Sequence, residues 1–361
     1  MKIKVGIVSA EPSGDLLGFE IIKSLKGINN EVEVIGIGDG QLLRCGDGIS
    51  SERPLLKIMG LVDPLKNYSK IKTFQKSLIK KFISEKIDVF IGIDSPDFNI
   101  GIHKALTKAG IKTVHAVCPS IWAWRAGRAK KFKYIDYMLC LFPFEPKLCR
   151  NVKKEAIYVG HPLFNKRSEY VGKEKEDIVC LMPGSRVSEI NNNLPVMLEA
   201  FCEFNKSKNF KAYIPVYDLE SEKLAQGAIP PNKNIHVINT ESHRILKMAK
   251  IAVMCSGTAT LEGLISETPT TIVYKTNFLN YLIYKSLMTT KYVGLPNIIA
   301  DKEVFTELIQ SDANVDNIVE DMKVNLSNID EKTQHLKQIN ASLEKADFSR
   351  FAAKLYEDCR G

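Results

Sequence analysis

Residues 178–190 combine an apolar run, a tight turn and a helical pattern in an order that suits anion binding. The apolar run ends at Met182, and the Pro-Gly-Ser turn 183–185 breaks it. From Val187 to Phe204, apolar residues recur at helical spacing. Free N–H groups of the turn and the helix dipole could hold an anion there, and the Arg186 guanidinium could bind two phosphate oxygens. An ordinary strand–turn–helix with a surface arginine would have the same sequence, so other stretches must decide.

A pair of carboxylates follows another buried strand. Val89–Ile93 is a continuous apolar run, and Asp94 and Asp97 come next on a turn that contains Pro96. Open α/β sheets hold their chemistry at the carboxyl ends of strands, and a general base must reach substrate from a fixed backbone. Asp94 is therefore a candidate general base, whereas Asp97 could equally cap the following helix.

A second group of small residues follows the predicted strand 251–255. Ser256, Gly257 and Thr258 would let backbone N–H groups approach a phosphate, and Glu262 lies one helical turn later. A carboxylate at that point could accept hydrogen bonds from a ribose diol. A Ser or Thr that simply caps the helix explains the first part of this pattern equally well.

Both tryptophans of the chain lie in one loop. Trp122 and Trp124 follow the predicted strand 113–118 and precede Arg125 and a basic helix. Indoles beside cations could form a platform for an acceptor substrate with a phosphate site. Two core aromatics beside a solvated basic face would look the same in sequence.

The stretch Leu65–Ile83 has the pattern of a basic amphipathic helix. Its apolar residues fall on one side and its lysines elsewhere: Ile71, Phe74, Leu78 and Phe82, against Lys66, Lys70, Lys76, Lys80 and Lys81. Such helices often lie on anionic membrane surfaces, where the apolar side can enter the lipid. A core stripe with a solvated basic face is the other interpretation.

Composition limits the class of protein. The 361 residues suit two domains of roughly 150–200 residues each. A net charge of +8 is too small to indicate a nucleic-acid binder and suits anionic substrates or a membrane face. No apolar run reaches the roughly 18 residues of a membrane span, so we expect a cytoplasmic protein. The eight cysteines and six histidines show no paired-ligand spacing, so no metal site is predicted.

Alternating strand and helix patterns predict an α/β fold in two domains. The charged stretch 165–177 has the composition of an exposed linker, so we place the domains at 1–166 and 173–345. We expect the helix 346–361 to pack on the first domain or to reach a partner subunit. The predicted strands are Lys4–Ser9, Val32–Ile37, Val89–Ile93, Thr113–Cys118, Tyr137–Phe142, Ile157–Val159, Ile178–Met182, Phe210–Val216, Ile235–Val237, Ile251–Cys255 and Thr271–Tyr274.

Seven stretches in order resemble the motifs of one glycosyltransferase family, the lipid-A-disaccharide synthases. They are Glu11–Asp15, Ile93–Asn99, Pro119–Arg125, Gly160–Leu163, Pro183–Arg186 with Glu189, Ser256–Glu262 and Leu295–Asn297. The resemblance implies two Rossmann-like domains facing a cleft, the GT-B architecture, with the acceptor and catalytic site in the first and the UDP-sugar site in the second. It implies neither a cofactor nor a metal. Ala116 and Cys118 depart from the family pattern, which has a Tyr and a Ser there, and leave the acceptor loop in doubt.

The resemblance also implies a reaction and site residues. UDP-2,3-diacylglucosamine would donate its sugar to 2,3-diacylglucosamine 1-phosphate, giving a β(1→6)-linked disaccharide 1-phosphate and UDP with inversion. The catalytic residues would be Asp94, Arg186 and Glu11. The residue that acts as the general base is left open among Asp94, Asp97 and Glu11. The UDP-sugar side would comprise Arg186, Gly184, Ser185, Ser256, Gly257, Thr258, Glu262, Asn297 and Gln310. The acceptor side would comprise Ser13, Gly14, Asp15, Asp97, Ser120, Trp122 and Arg125.

Acylated substrates favour the membrane interpretation of the basic helix, so we expect peripheral association with the cytoplasmic face of the inner membrane. The amphipathic C-terminal helices could also form a homodimer, whereas the small net charge does not suit a nucleic-acid partner.

Two rival functions would use the same nucleotide site. One is another UDP-sugar enzyme, such as a UDP-N-acetylglucosamine 2-epimerase, and the other is a non-catalytic protein that binds anionic lipid or a nucleotide.

Overall fold

The structure is a computed structural model that describes residues 2–10, 12–51, 64–119, 126–172, 174–231, 234–276 and 291–360. The chain forms two compact units. Unit 1 comprises Met1–Pro162 and Lys345–Gly361, and unit 2 comprises Leu163–Glu344. Each unit is a Rossmann-like α/β fold around a parallel sheet.

Unit 1 contains a seven-stranded sheet in the order β3-β2-β1-β4-β5-β6-β7. The paired strands are parallel, and β1 and β4 are almost continuously buried, as expected for strands covered on both faces. The strands are β1 Ile3–Ser9, β2 Val32–Ile37, β3 Gly48–Ser50, β4 Val89–Ile93, β5 Lys112–Ala116, β6 Tyr137–Cys140 and β7 Glu155–Tyr158. Its longer helices are α1 Pro12–Ile28, α2 Pro64–Ser84 and α3 Pro96–Lys108, and its 3₁₀ helices are Leu42–Cys45, Ala126–Tyr134 and Glu145–Leu148.

Unit 2 contains a six-stranded parallel sheet in the order β10-β9-β8-β11-β12-β13. The strands are β8 Glu176–Met182, β9 Lys211–Val216, β10 Ile235–Asn239, β11 Ala249–Cys255, β12 Thr270–Tyr274 and β13 Thr306–Ile309. The helices are α4 Arg167–Tyr170, α5 Val187–Phe204, α6 Leu219–Ala228, α7 Ser242–Leu246, α8 Ala259–Ile265, α9 Leu295–Ala300, α10 Val315–Ser327 and α11 Ile329–Ser342, with 3₁₀ turns at Pro162–Lys166 and Asn205–Ser207.

The strand order reverses once in each sheet, and these reversals locate the predicted motifs. In unit 1 the reversal lies between β1 and β4, and in unit 2 it lies between β8 and β11. Connections leave such neighbouring strands in opposite directions, which opens a crevice at their carboxyl ends. Asp94 directly follows β4, and the turn before Arg186 directly follows β8. The predicted chemistry therefore lies at the crevice of each sheet.

The basic helix predicted from the sequence is present as α2, but its apolar side is core. Ile71, Leu78 and Phe82 are 8%, 5% and 0% exposed. Phe74 also packs against this core, with its ring 6.1 Å from that of Phe98. The expectation that the apolar side could enter lipid is therefore wrong for Ile71, Leu78 and Phe82, which pack inside unit 1, whereas Phe74 is half-buried.

The C-terminal helix α12, Ser349–Arg360, returns to unit 1 and packs against α1. Phe351 and Leu355 are buried, and the Phe351 ring lies 6.0 Å from that of Tyr137. The Tyr137 hydroxyl also donates to Asp358 at 2.5 Å. Within this chain, the helix therefore follows the first of its two predicted alternatives.

The stretch 165–177, expected as an exposed linker, is largely folded. It contains α4, and Tyr170 is 5% exposed. The Lys175 ammonium donates to Leu246 O at 2.9 Å and to Thr268 Oγ1 at 2.8 Å, and burial lowers its pKa to about 8. The composition of the stretch could not predict these contacts, because a sequence does not distinguish a lysine that is bonded inside the fold from one that is solvated.

Two short strands, β3 and β13, were not predicted. Each has only three or four residues, which are too few for a periodic pattern to be recognised.

None of the helices in the described ranges combines the length and the apolar content needed to span a bilayer.

Candidate functional site

The turn between β8 and α5 is held by a carboxylate of the helix itself. Glu189 Oε2 accepts from the Ser185 N–H at 3.0 Å and from the Arg186 N–H at 3.3 Å. Glu189 Oε1 accepts from Arg186 Nη1 at 2.9 Å. The expectation that the turn's N–H groups are free is therefore wrong for these two, since Glu189 already binds them.

Arg186 stands at the N-cap of α5 in an extended conformation, and 45% of its side chain is exposed. Its ion pair with Glu189 fixes the guanidinium beside the first turn, whose N–H groups have no partner within the helix. The dipole of α5 adds partial positive charge at the same point. A bound anion would therefore meet the guanidinium and the first-turn amides.

Gly184 leaves the space that the Glu189 carboxylate occupies. It has a φ of 115°, and a Cβ built there would lie 2.5 Å from Glu189 Oε2 and Cβ. Both the positive φ and the close approach favour glycine. The glycine therefore leaves room for the Glu189 side chain that forms the ion pair with Arg186.

Asn193 joins the ends of three strands and was missed by the sequence reasoning. It is fully buried, and its amide donates to Pro183 O at 3.5 Å and to Cys255 Sγ at 3.7 Å. Its Oδ1 accepts from the Lys275 N–H at 2.7 Å. The sequence did offer a signal for this residue: Asn193 is a polar residue on the face of the predicted helix that should be buried.

The second small-residue turn lies between β11 and α8. Gly257 has a φ of 138°, and no heavy atom lies within 4 Å of a Cβ built there. Ser256 Oγ donates to Val293 O at 3.2 Å. Thr258 is the N-cap of α8, but its side chain makes no capping hydrogen bond. The simple capping interpretation of this stretch is therefore wrong for Thr258.

Glu262 lies in the first turn of α8, with its carboxyl group buried. Its Oε2 accepts from Ser242 Oγ. Burial raises the pKa of Glu262 to about 7, although the Ser242 hydrogen bond acts in the opposite direction. Across the described ranges, no hydrogen bond reaches Oε1. The carboxyl group is therefore poised to change charge near neutral pH and has an oxygen available for a ligand hydroxyl.

Asn297 does not fit the ligand contact that the resemblance implied. It is fully buried, and its two amide N–H groups donate to Phe305 O and Glu307 Oε1, both at 2.8 Å. Its Oδ1 accepts from the N–H groups of Val304 and Phe305 at 2.7 and 2.9 Å. These four bonds use the whole capacity of the amide. Asn297 therefore holds the segment 304–307, and Glu307 in turn accepts from the N–H groups of Val293 and Gly294.

Gln310 follows β13 and has a φ of 56°. Its Oε1 accepts from the Thr276 N–H at 3.4 Å, whereas its Nε2 is buried without a partner among the described residues. Gln310 and Lys275 line an open cavity of about 530 Å³. A buried donor without a partner is costly, so a ligand acceptor at this point would stabilise it.

The Asp94 turn of unit 1 is strained in a way that suits a site. Asp94 and the next residue, Ser95, have positive φ values of 47° and 42°. The Asp94 N–H donates to Ala116 O at 2.9 Å, and Asn99 Nδ2 donates to Asp94 O at 2.8 Å. Such torsions in two successive non-glycine residues cost about 1–3 kcal/mol each, so the surroundings must impose them. The turn thus fixes the Asp94 backbone at the end of β4.

The acceptor-side residues divide between core and surface. A Cβ at Gly14 would lie 2.7 Å from Ser9 Oγ, so the start of α1 packs tightly on β1. Asp15 is 5% exposed and accepts from the Asp39 N–H at 3.1 Å, whereas Asp97 is exposed in the first turn of α3. Glu11, Ser120, Trp122 and Arg125 and the side chain of Ser13 lie outside the described residues.

Side chains that could bind a metal are dispersed over the described ranges. These contain no group of three or more His, Cys, Asp or Glu side chains placed to hold an ion. Each sheet crevice instead carries one principal charged candidate, Asp94 in unit 1 and Arg186 in unit 2.

Comparison with known proteins gives a match over nearly the whole chain. The family model described as lipid-A-disaccharide synthetase matches residues 5–356. The lipid-A-disaccharide synthase of Acinetobacter baylyi is 34% identical over 94% of this chain and 92% of its own length. That of Francisella philomiragia is 36% identical over 89% of both chains.

Solved structures share the fold at much lower identity. The UDP-GlcNAc 2-epimerase of Neisseria meningitidis bound to UDP-GlcNAc has a TM-score of 0.65 at 12% identity, with 99% of both chains covered. MurG of Acinetobacter baumannii has a TM-score of 0.58 at 13% identity, with 98% of this chain and 99% of that chain covered. At these identities, the similarity shows the fold alone.

We predict that Gly184→Ala destabilises unit 2 more than Gly257→Ala does. Both glycines have positive φ, which costs an alanine about 1–2 kcal/mol, but only a Cβ at Gly184 meets Glu189. The overlap should add about 1–3 kcal/mol. Urea denaturation of the two variants measures the difference, and equal losses would contradict the role given to Gly184.

Proposed function

The chain belongs to the lipid-A-disaccharide synthetase family and is a glycosyltransferase, and from that premise we propose how its residues divide the reaction. Unit 2 binds UDP-2,3-diacylglucosamine, and unit 1 binds 2,3-diacylglucosamine 1-phosphate. The products are a β(1→6)-linked disaccharide 1-phosphate and UDP. The observation that carries the proposal is that the Arg186 guanidinium and the Glu262 carboxyl group follow two adjacent strands of unit 2, β8 and β11, at the crevice of that sheet.

On the donor side, Arg186 contacts the diphosphate and Glu262 accepts from the ribose diol. Arg186 follows β8 and Glu262 follows β11, and these strands are adjacent in the sheet. Support comes from the exposed guanidinium, which Glu189 fixes at the helix N-terminus. The other groups on this side are Gly184, Ser185, Ser256, Gly257, Thr258 and Gln310, with Asn297 behind them as a positioning residue.

On the acceptor side, Asp94 is the general base. Its strained turn fixes the Asp94 backbone at the carboxyl end of β4, from which the carboxylate can reach a substrate hydroxyl. Glu11 and Asp97 remain the other candidates for this role. The acceptor contacts are assigned to Ser13, Gly14, Asp15, Ser120, Trp122 and Arg125.

The reaction is a single displacement. Asp94 takes the proton of the acceptor 6-hydroxyl while that oxygen forms a bond to the anomeric carbon of the donor. The bond from this carbon to the UDP oxygen breaks, and its electron pair leaves with the diphosphate. Arg186 and the first-turn amides of α5 stabilise the charge that develops there. Attack on the face opposite the leaving group inverts the anomeric configuration.

Membrane association is carried by the charged side of α2. Lys70, Lys76, Lys80 and Lys81 are exposed, whereas the side chain of Lys66 lies outside the described residues. Juxtamembrane lysines contribute about 1 kcal/mol each on anionic lipid. We place the protein at the cytoplasmic face of the inner membrane, held by this charge.

A homodimer through the C-terminal helices would form by exchange of α12 between two chains. The apolar face of this helix is covered by its own unit 1, with Phe351 and Ala352 fully buried. A partner chain's α12 could make the same contacts. Sedimentation equilibrium at increasing protein concentration tests this assembly.

The base assignment predicts different results for two neighbouring carboxylates. Asp94→Asn should lower turnover about 10²–10⁴-fold, because the amide cannot take the hydroxyl proton. Asp97→Asn, on the same turn, should stay within about threefold of the wild type. The measurement is UDP release from the two acylated substrates. Binding of UDP should be normal in both variants, and a larger loss for Asp97→Asn would move the base to that residue.

Arg186→Gln should lower both UDP affinity and turnover, the latter by about 10²–10³-fold, as for loss of a transition-state donor. Glu189→Gln is not a suitable control because Glu189 holds the same turn. Lys208→Gln, an exposed cation of unit 2, is suitable. Normal turnover in Arg186→Gln would remove this residue from the diphosphate site.

UDP affinity should rise as pH rises through about 7. The pKa of the free Glu262 carboxyl is raised to about 7, and the ribose diol donates to its ionised form. Binding therefore favours deprotonation, which gives an increase of about tenfold between pH 6 and pH 8. Isothermal titration of the wild type and Glu262→Gln separates this effect from titration of UDP itself. Identical pH slopes would show that Glu262 does not contact the ligand.

Charge reversal on α2 should release the protein from anionic vesicles. Lys76→Glu with Lys80→Glu should weaken binding on the order of 30-fold or more, since each lysine contributes about 1 kcal/mol. Lys323→Glu with Lys337→Glu makes the same charge change on exposed positions of unit 2. Co-sedimentation with phosphatidylglycerol vesicles compares them. Equal losses in both double variants would indicate a general charge effect.

A further inference from the structure

Tyr217 presents an exposed aromatic ring at the carboxyl edge of the unit 2 sheet. It directly follows the buried end of β9, and 59% of the residue is exposed. Single exposed apolar residues are common and need no explanation. The surroundings of the Tyr217 hydroxyl are less ordinary.

The hydroxyl is bonded to Ser242 in two ways. The Ser242 N–H donates to Tyr217 Oη at 3.3 Å, and Tyr217 Oη lies 2.7 Å from Ser242 Oγ. Ser242 Oγ in turn donates its only proton to Glu262 Oε2. When Glu262 is ionised, Tyr217 therefore donates to Ser242 Oγ, which gives a directed chain of hydrogen bonds that ends on the Glu262 carboxylate.

The Tyr217 phenol is neutral near pH 7, although its hydrogen bonds with Ser242 lower its pKa. Burial of the hydroxyl end and the charge of Glu262 both raise the pKa of Tyr217. The hydroxyl end is thus enclosed while much of the ring remains exposed. Ser242, which links the two groups, is 2% exposed.

The ring is consequently held at both ends. The backbone at the end of β9 fixes one end, and the hydrogen bonds to Ser242 fix the other. A tyrosine has few side-chain torsions, so such a ring loses little entropy when a ligand covers it. Its exposed surface is available for stacking and is not explained by the hydrogen bonds of the hydroxyl.

An aromatic surface two hydrogen bonds from a carboxyl group has the two parts needed to bind a nucleoside. The carboxylate accepts from the ribose diol through Oε1, because Oε2 is used by Ser242. The base is joined to the same ribose and can stack on an aromatic ring nearby. Both groups belong to unit 2 and lie at the carboxyl ends of its strands.

We propose that Tyr217 is the base-stacking residue of the donor site and that Ser242 couples its position to Glu262. The proposal rests on the proposed function, since it deepens the nucleotide site assigned to unit 2. It adds a contact to the uracil ring and makes the aromatic character of the base part of donor recognition.

The test measures binding of three ligands to the full-length chain by isothermal titration. UDP carries the aromatic base, 5,6-dihydrouridine diphosphate carries a saturated base, and inorganic pyrophosphate carries none. Tyr217→Leu removes the aromatic ring, and Tyr217→Phe keeps the ring without its hydroxyl. Leu219→Ala is the matched control, because Leu219 is 69% exposed at the same edge.

Wild-type protein should bind UDP about 5- to 100-fold more tightly than the dihydro compound, as expected for one base stacked on an aromatic ring. Tyr217→Leu should lose this preference and leave pyrophosphate affinity unchanged. Tyr217→Phe should keep most of the preference. Leu219→Ala should resemble the wild type.

Two results would overturn the proposal. In one, Tyr217→Leu keeps the full preference for UDP, so the ring does not contact the base. In the other, it weakens UDP and pyrophosphate equally, so the residue only supports the fold of the edge. Failure of the proposed function is separate and visible in the wild type, which would then not bind UDP.

Discussion

Parallel pairing of the central strands is the constraint on which both candidate sites depend. A parallel strand must be followed by a connection that crosses a face of the sheet. Where the strand order reverses, between β1 and β4 and between β8 and β11, two connections leave in opposite directions. The carboxyl ends of these strands stay uncovered there. Asp94 and Arg186 follow β4 and β8, so the topology of each unit alone brings its charged group to an open crevice.

Buried amides then fix the turns that topology leaves open. Asn99 holds the carbonyls at the Asp94 turn, Asn193 joins the ends of β8, β11 and β12, and Asn297 satisfies the backbone between α9 and β13. Each lies among groups that would otherwise be buried without partners, which is costly. Glu189 does the same for the Arg186 turn with a carboxylate. Charged groups at both crevices are thus carried on backbone that polar side chains hold in place.

Sequence patterns predicted the elements better than the contacts. The strand Val32–Ile37 and the helix Val187–Phe204 have the predicted bounds, because long buried runs and helical spacing record burial directly. The sequence left open whether α2's apolar side is core, and it predicted neither the internal hydrogen bonds of Asn297 nor the binding of two turn amides by Glu189. Each depends on residues distant in sequence or on side-chain direction. Only the resemblance assigned roles in one reaction to Arg186 and Asp94, because their spacing in the sequence left those roles open.

We propose above that this chain transfers a sugar from UDP to a sugar-phosphate hydroxyl. The most direct measurement mixes purified protein with UDP-2,3-diacylglucosamine and 2,3-diacylglucosamine 1-phosphate in detergent and follows the products by nuclear magnetic resonance and mass spectrometry. We expect equal amounts of UDP and a β(1→6)-linked disaccharide 1-phosphate. Interconversion of the UDP-sugar without use of the acceptor, or binding of UDP without any product, would contradict it.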